Sequence, residues 1–351
     1  MRAAVILVSP SLSVGRPSIT QNRREAAAIM AEKQSEHYHV YHNPRPTKRM
    51  RTVIQKRRWL VFGGKTGWVG AKLVDLLREK YPDEEVFVAT SRLENRKDII
   101  AELAKYKPTN CINAAGLTGR PNVDWCEANT QSTVRVNVMG TLNLLDICWQ
   151  HGIHVMNCST GCIYHYDDRI KEGSGDGFTE ECEPNFVGSI YSKTKSIVEN
   201  LIEVGGYDNV LTLRIRMPIS DDLHHRSLVT KITKYEKVVN IPNSMTVLTD
   251  MLPIAIELAR NNHVGKYNFT NPGSISHNEI LTMYRDYIDP KFQWKNFTLE
   301  EHNTVVVAKR SNNELDSTKL EKACKDLGLA VLPIHDAMRG CFERMKVNLG
   351  K

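Results

Sequence analysis

The stretch WLVFGGKTGWVGAKLVDLLREKY, residues 59–81, constrains the fold more than any other part of this 351-residue chain. An apolar run, Trp59–Phe62, closes on glycines. It is followed by helical spacing of Val69, Leu73 and Leu76/Leu77. The same alternation then repeats. EVFVATS reads as a strand and KDIIAELAKYKP as a helix; TNCINAAG is a strand and VRVNVMGTLNLLDICWQHG one long helix. IHVMNCST is a buried strand, SKTKSIVENLIEVGG a helix and NVLTLRIRMP a further strand. Strands alternating with helices predict an α/β fold, a Rossmann-type doubly wound parallel sheet. After Pro218 the alternation loosens. The expected organisation is therefore a basic, disordered N-terminal extension (1–56), a dinucleotide-binding domain (57–218) and a smaller substrate-binding C-terminal lobe (219–351), with segments of that lobe returning to the main sheet.

Charge is unevenly placed. Residues 1–58 hold 12 Lys/Arg against 3 Glu, and the remainder holds 35 Lys/Arg against 37 Asp/Glu. The basic footprint thus belongs to a tail, and no nucleic-acid partner is expected of the near-neutral body. The tail has no acidic residue before Glu25 and four arginines by Arg24, the composition of a mitochondrial transit segment. Pro10 and Pro17 interrupt any amphipathic helix there, and translation from Met30 or Met50 is an equal alternative. His37, His39 and His42 read as a solvated linker, so no metal site is expected. No run approaches the roughly 18 apolar residues of a membrane span. Eight cysteines in such a chain read as reduced thiols. A cytoplasmic protein is expected, with mitochondrial import as the less favoured location.

In GGKTGWVG the glycines Gly64, Gly67 and Gly70 recur every third residue between a strand and a helix. Glycines there let backbone N–H groups approach a pyrophosphate at a helix N-terminus. The loop Gly64, Lys65, Thr66, Gly67, Trp68, Val69 and Gly70 is the candidate cofactor cradle. The next strand ends in Thr90, Ser91 and Arg92. A carboxylate at that point favours NAD, and an arginine favours the 2′-phosphate of NADP. Ser91, Arg92 and Lys65 therefore indicate NADPH, with Glu94 keeping NADH as the alternative.

IYSKTKSIVEN places Tyr191 and Lys195 four residues apart on one helix face. A lysine ammonium beside a phenol favours the phenolate, and such a tyrosine can exchange a proton with a carbonyl or alcohol oxygen. Thr160 supplies a hydroxyl some thirty residues upstream. Asn113, Ala114, Ala115 and Gly116 end a strand, and Asn137 lies on the helix that follows.

The ordered set Gly64-x-x-Gly67-x-x-Gly70, Asn113-Ala-Ala-Gly116, Asn137, Ser159-Thr160 and Tyr191-x-x-x-Lys195 resembles an extended short-chain dehydrogenase/reductase. The strings NAAGLTGRPNVDWCE, STGCIY, GSIYSKTK, RMPIS, TKITKYEKVVNIPNSMT, YNFTNPGSISHNEIL and RSNNELD are similar to the bifunctional nucleotide-4-keto-6-deoxyglucose 3,5-epimerase/4-reductases of rhamnose synthesis. The similarity runs from about Trp59 to about Leu320. It implies a UDP- or dTDP-linked 4-keto-6-deoxyglucose whose C4 ketone NADPH reduces, with Tyr191 giving the proton, Lys195 tuning it and holding the nicotinamide ribose, and Thr160 bonding the carbonyl oxygen. It also implies that Cys162 and Lys231 form the pair that moves protons at C3 and C5. Both carbons lie alpha to the ketone, so one oxyanion site serves both reactions. Sugar-nucleotide dehydratases carry Asp-Glu after the catalytic Thr; Gly161 and Cys162 stand there instead, so dehydration is not expected.

Thr118, Arg120 and Asn122, in the loop after the NAAG strand, are candidate substrate contacts, as are Arg310 and Asn312. Lys234 and Lys237 are alternatives for the diphosphate. Each of these arginines could equally hold the lobes together. The enzyme would act downstream of a separate 4,6-dehydratase, and a homodimer is left open. Two other readings stand beside it: a 4-ketosugar-nucleotide reductase without epimerase activity, and an NADP-binding regulatory subunit resembling the β subunit of methionine adenosyltransferase.

Overall fold

The computed structural model describes residues 56–351. The expectations for the N-terminal tail lie outside the described residues. Strand β1 (Arg58–Phe62) leads through the glycine loop into helix α1 (Trp68–Lys80). Then come β2 (Glu85–Val88), α2 (Arg96–Tyr106) and β3 (Asn110–Asn113). Short helices α3 (Asp124–Ala128) and α4 (Thr130–Val134) precede a widened, π-helical turn at Arg135–Gly140 and α5 (Thr141–Gln150). Strand β4 (His154–Thr160), helix α6 (Ile190–Val204) and strand β5 (Val210–Ile215) complete the regular alternation.

Beyond Pro218 the chain forms α7 (Leu228–Ile232), β6 (Lys237–Val238), α8 (Leu248–Arg260), β7 (Gly265–Tyr267), α9 (His277–Tyr287), β8 (Lys295–Asn296), α10 (Leu299–Val305), α11 (Thr318–Asp326) and α12 (Ile334–Asn348). The main sheet has six parallel strands in the order β2-β1-β3-β4-β5-β7. The late strand β7 thus returns to the sheet edge. Strand order reverses between β1 and β3, and the crevice outside their carboxyl ends is where such sheets bind ligands.

Strands buried on both faces need apolar side chains on both, which explains the unbroken apolar run Trp59–Phe62 in β1. On one face Trp59, Val61 and Met156 pack with Leu73 and Leu77 of α1 and with Leu252 and Ile256 of α8. On the other, Leu60, Phe62 and Val155 meet Ile99 and Leu103 of α2 and Leu144 and Leu145 of α5. Helices on both faces make the sheet doubly wound, as the sequence pattern predicts. The smaller lobe has its own core, where Val229, Ile280, Leu281, Met338 and Phe342 converge, beside the two-stranded sheet β6–β8.

The segment read as one long helix is helical throughout, with a π-helical turn inside it. The turn at Arg135–Gly140 widens where Gly140 meets Leu93: a Cβ on Gly140 would lie 2.8 Å from the Leu93 Cβ. This close approach belongs to tertiary packing and leaves no trace in helical periodicity. All eight cysteines are free thiols. Among the described residues, no helix is long and apolar enough to cross a membrane.

Candidate active site

The glycine loop is built by close backbone approach. Gly63 has φ +81°, in the left-handed region, and a Cβ there would lie 2.7 Å from the Ala114 carbonyl group. A Cβ on Gly67 or on Gly70 would lie 2.4 Å from the Gly63 oxygen, and the Gly67 N–H donates to that oxygen at 3.0 Å. Gly63 was absent from the expected cradle; the doubled glycine after β1 is the signal that could have found it. Gly64 instead faces the valine side chains of Val61, Val74 and Val88. Lys65 and Thr66 are exposed and Val69 is half-buried. Trp68 is buried, stacked on His224 at 4.8 Å, with its indole N–H donating to Asp222 at 3.3 Å. Lys72 pairs with the same carboxylate at 2.7 Å, so the 222–224 segment crosses the start of α1.

At the end of β2 a carboxylate is present, but it is Glu102 rather than Glu94. Glu102 accepts from the backbone and hydroxyl of Thr90 (2.7 and 2.8 Å) and of Ser91 (3.2 and 2.7 Å). Burial would raise its pKa, yet these four donors together hold it below the usual carboxylate value. The Ser91 hydroxyl is thereby turned inward, while Arg92 and Lys65 remain exposed without an ion-pair partner among the described residues. Two free cations at the mouth of the loop favour a phosphate over a ribose hydroxyl.

Asn113 is fully buried and donates to Asn157 of β4 at 2.9 Å, while its own oxygen takes the Ala115 N–H at 3.2 Å. Its side chain therefore joins β3 to β4 and shapes the turn. Ala114 and Ala115 are half-buried and Gly116 is exposed. Asn137, on the widened turn, clamps the next residue of the loop from both sides: its oxygen accepts from Leu117 N at 2.8 Å and its amide donates to Leu117 O at 2.9 Å.

Helix α6 begins where its N-terminal groups are satisfied. Ser189 caps it by accepting from the Ser192 N–H at 3.1 Å, and the Glu127 carboxylate takes the Ile190 N–H at 2.8 Å. Tyr191 thus stands in the first turn and Lys195 one turn further on. The Lys195 ammonium is buried and donates to the Cys158 carbonyl of β4 at 3.3 Å. A Cβ on Gly116 would come within 3.6 Å of it, so this amine also lies beside the loop after β3. Burial pulls the Lys195 pKa down, while Cys158 and Glu199 pull it up.

Tyr191 does not show the depressed phenol that the Tyr–Lys spacing predicts. Burial pushes its pKa above the ordinary value and a charge on Cys162 adds to this, while the hydrogen bond with Thr160 acts the other way. The Lys195 ammonium is held at the Cys158 carbonyl. The structure thus brings Thr160, Tyr191 and Cys162 together. Thr160 is the last residue of β4, and its hydroxyl accepts the Cys162 N–H at 3.2 Å.

Lys231, on α7, is half-buried, and no hydrogen bond or ion pair joins it to Cys162 among the described residues. Its pKa is pulled down by burial and by Arg226, and Arg226 in turn is lowered by burial and by Arg120. Arg120 thus acts on Arg226, and Arg226 on Lys231. Thr118 and Arg120 are exposed and Asn122 half-buried, its oxygen accepting the Asp124 N–H at 2.8 Å. Arg310 is committed to Asp124 through both amino groups, at 2.7 and 3.1 Å. Asn312 accepts from the Asn243 amide at 3.1 Å. Lys237 pairs with Glu301 at 3.2 Å, and Lys234 is exposed.

A missed residue is Arg216 of the RMPIS string. It is fully buried, which pulls its pKa down, while a charge on Cys162 pulls it up.

A parallel sheet with a glycine cradle at its switch point, and a Thr–Tyr–Lys set at the end of β4, defines a doubly wound dinucleotide-binding protein. Residues 59–219 match the sequence profile of the NAD dependent epimerase/dehydratase family. A bifunctional dTDP-4-dehydrorhamnose 3,5-epimerase/dTDP-4-dehydrorhamnose reductase of Arabidopsis thaliana is 56% identical over 270 residues, covering 77% of this chain and 88% of that protein. A trifunctional UDP-glucose 4,6-dehydratase/UDP-4-keto-6-deoxy-D-glucose 3,5-epimerase/UDP-4-keto-L-rhamnose-reductase of the same plant is 53% identical over 304 residues. The match covers 86% of this chain but 44% of that relative, so the chain spans less than half of its length. Among solved structures, a UDP-rhamnose synthase of Acanthamoeba polyphaga mimivirus superposes with TM-score 0.76 at 36% identity, covering 83% of this chain and 100% of the other. The dTDP-4-dehydrorhamnose reductase of Bacillus anthracis, solved with NADP, shares the fold with TM-score 0.67 at 17% identity, covering 84% of this chain and 99% of the other. The chain belongs to the NAD dependent epimerase/dehydratase family.

Proposed function

We propose that this chain epimerises C3 and C5 of a UDP- or dTDP-linked 4-keto-6-deoxyglucose and reduces its C4 ketone with NADPH, giving the nucleotide-L-rhamnose. The observation that carries the reading is the meeting of Thr160, Tyr191 and Cys162 at the carboxyl end of β4. The names of the plant and viral relatives support the substrate class. The cradle of Gly63, Gly67 and Gly70, where a Cβ would collide with backbone, and the free cations Lys65 and Arg92 fit a phosphorylated dinucleotide. Bound there, NADPH supplies the hydride for C4.

The remaining chemistry belongs to side chains. The Thr160 and Tyr191 hydroxyls donate to the C4 oxygen. In the epimerase step that oxygen carries the enolate charge formed when a proton leaves C3 or C5, and in the reductase step it carries the alkoxide charge. Tyr191 then delivers its proton to the alkoxide, and a phenol held protonated by burial is primed as that donor. Lys195, beside Gly116, would hold the ribose hydroxyls. Cys162 takes or gives the proton at the ring carbon, with Lys231 as the second proton carrier. Arg120 and Arg226 gather positive charge for the diphosphate. A separate 4,6-dehydratase, in the cytoplasm, would provide the ketone.

The test is NADPH oxidation with UDP- and dTDP-4-keto-6-deoxyglucose, with the stereochemistry of the product established. Oxidation accompanied by a rhamno-configured product supports the reading. No oxidation with either carrier sinks it, and reduction without inversion at C3 and C5 leaves only the reductase.

A further inference from the structure

Arg216 is fully buried, yet no carboxylate pairs with it among the described residues. Its amino groups donate to the Ser244 carbonyl at 3.1 Å and to the carbonyl and hydroxyl of Ser311, all of them neutral acceptors, and its Nε has no partner. Arg214, two residues earlier, is satisfied in the ordinary way by the Glu199 carboxylate at 2.8 Å. An uncompensated buried charge costs several kcal/mol, so the position of this guanidinium calls for an anion that forms nearby.

The turn after Thr160 rests on Arg216. A Cβ on Gly161 would lie 3.3 Å from the Arg216 Cδ, and Asn313 fixes the turn by donating to Gly161 O at 3.2 Å. Among the described residues, Cys162 and Tyr166 are the groups whose charge would act on Arg216. Tyr166 donates its hydroxyl to Pro242 O at 3.0 Å, and burial and Glu314 push its phenol up, so it stays neutral. Tyr191 is likewise held protonated by burial. Among the described residues, no hydrogen bond or ion pair joins Lys231 of α7 to the sulfur. Cys162 is left as the group that can answer the arginine.

We propose that Arg216 is a positioning residue for proton transfer, a fixed positive charge beside Cys162 that stabilises the sulfur whenever it is negative. This rests on the reading of Cys162 as a proton carrier. In one direction the ring C–H bond breaks, its electron pair enters the enolate and the thiolate becomes a thiol. In the other, the S–H proton goes to the ring carbon and the sulfur is left negative. Either way the sulfur is anionic for half of the cycle, and a buried guanidinium needs no solvent reorganisation to meet it.

Iodoacetamide labelling at pH 7, read by peptide mass spectrometry, separates this proposal from the enzymatic one because it needs no substrate. In the wild type, Cys162 should label at least about ten-fold faster than Cys182, another half-buried free thiol. Arg216→Gln keeps an amide donor without the charge, and it should slow Cys162 about ten-fold while leaving Cys182 unchanged. Arg216→Lys should restore the rate. Equal labelling of the two thiols in the wild type overturns the proposal without any variant, as does a folded Arg216→Gln that labels like the wild type. With substrate, Arg216→Gln should lower solvent deuterium entry at C3 or C5 by about 10²-fold and reduction of a pre-epimerised ketone by less than about ten-fold. Fast labelling in a wild type that admits no deuterium would instead overturn the epimerase reading, and with it any role for Arg216 in proton transfer.

Discussion

Ser159 donates a 2.7 Å hydrogen bond to Glu199, which ties the strand ending in Thr160 to the helix carrying Tyr191 and Lys195. Arg214 of β5 grips the other oxygen of the same carboxylate at 2.9 Å. The three groups are buried, and together they fix the height of α6 against β4 and β5. Ser159 is therefore a strut beneath the site, and its neighbour Thr160 carries the chemistry. Ser159→Ala should lower stability by about 1.5 kcal/mol, the worth of a hydrogen bond to a charged group. Glu199→Ala leaves Arg214 buried and unpaired and should cost about 3–5 kcal/mol. Urea unfolding curves check both, and a neutral Glu199→Ala would deny the strut.

Arg92 stands free at the end of β2, while Ser91 is turned to Glu102. Arg92→Ala should raise the KM for NADPH by about 10–100-fold, the loss of a charge-assisted phosphate contact, and leave the KM for NADH unchanged. Parallel loss with both cofactors would assign Arg92 to folding instead.

Gly63 combines a positive φ with a contact that admits no side chain. Gly63→Ala should destabilise the protein by at least about 2 kcal/mol and abolish dinucleotide binding. Thermal melts with and without NADPH read both effects. A variant that melts and binds like the wild type contradicts this account of the cradle.

His154 opens β4 in a buried position, its Nε2 donating to the His263 carbonyl at 2.8 Å and its Nδ1 facing the Asn110 amide at 3.5 Å. Burial holds its pKa below the usual value, and the His263 charge adds to this against the carbonyl bond. Protonation would set an N–H on Nδ1 against the amide donor of Asn110. Below about pH 6.5 the unfolded chain therefore binds more protons than the folded one. The contribution of His154 is complete above that pH and declines as pH falls toward the depressed folded value. Urea midpoints at pH 7.5 and 5.5 should differ more for the wild type than for His154→Gln; equal differences would remove His154 from the account.

The sheet, its helices and the glycine loop were legible because each is written in local pattern: apolar runs of strand length, glycines where backbone must approach, and Tyr191 and Lys195 one turn apart. What stayed hidden depends on contacts distant in sequence. Arg310 finds its partner in Asp124, 186 positions away, and Gly140 meets Leu93. The Tyr191 phenol was expected to be lowered by its lysine, but the Cys158 carbonyl holds the ammonium and burial dominates. Arg216 was missed because a sequence does not record that a buried cation lacks a carboxylate.

The central claim is that one pocket performs two reactions, with the sulfur of Cys162 needed for the first and the phenol of Tyr191 for the second. Cys162→Ala, incubated with the 4-keto substrate in deuterium oxide, tests it most directly. The account predicts that deuterium entry at C3, C5 or both falls to background while a pre-epimerised ketone is still reduced within about ten-fold of the wild-type rate; Tyr191→Phe should instead lower reduction by about 10²–10⁴-fold. A Cys162→Ala enzyme that forms the rhamno-configured product at the parental rate would contradict it.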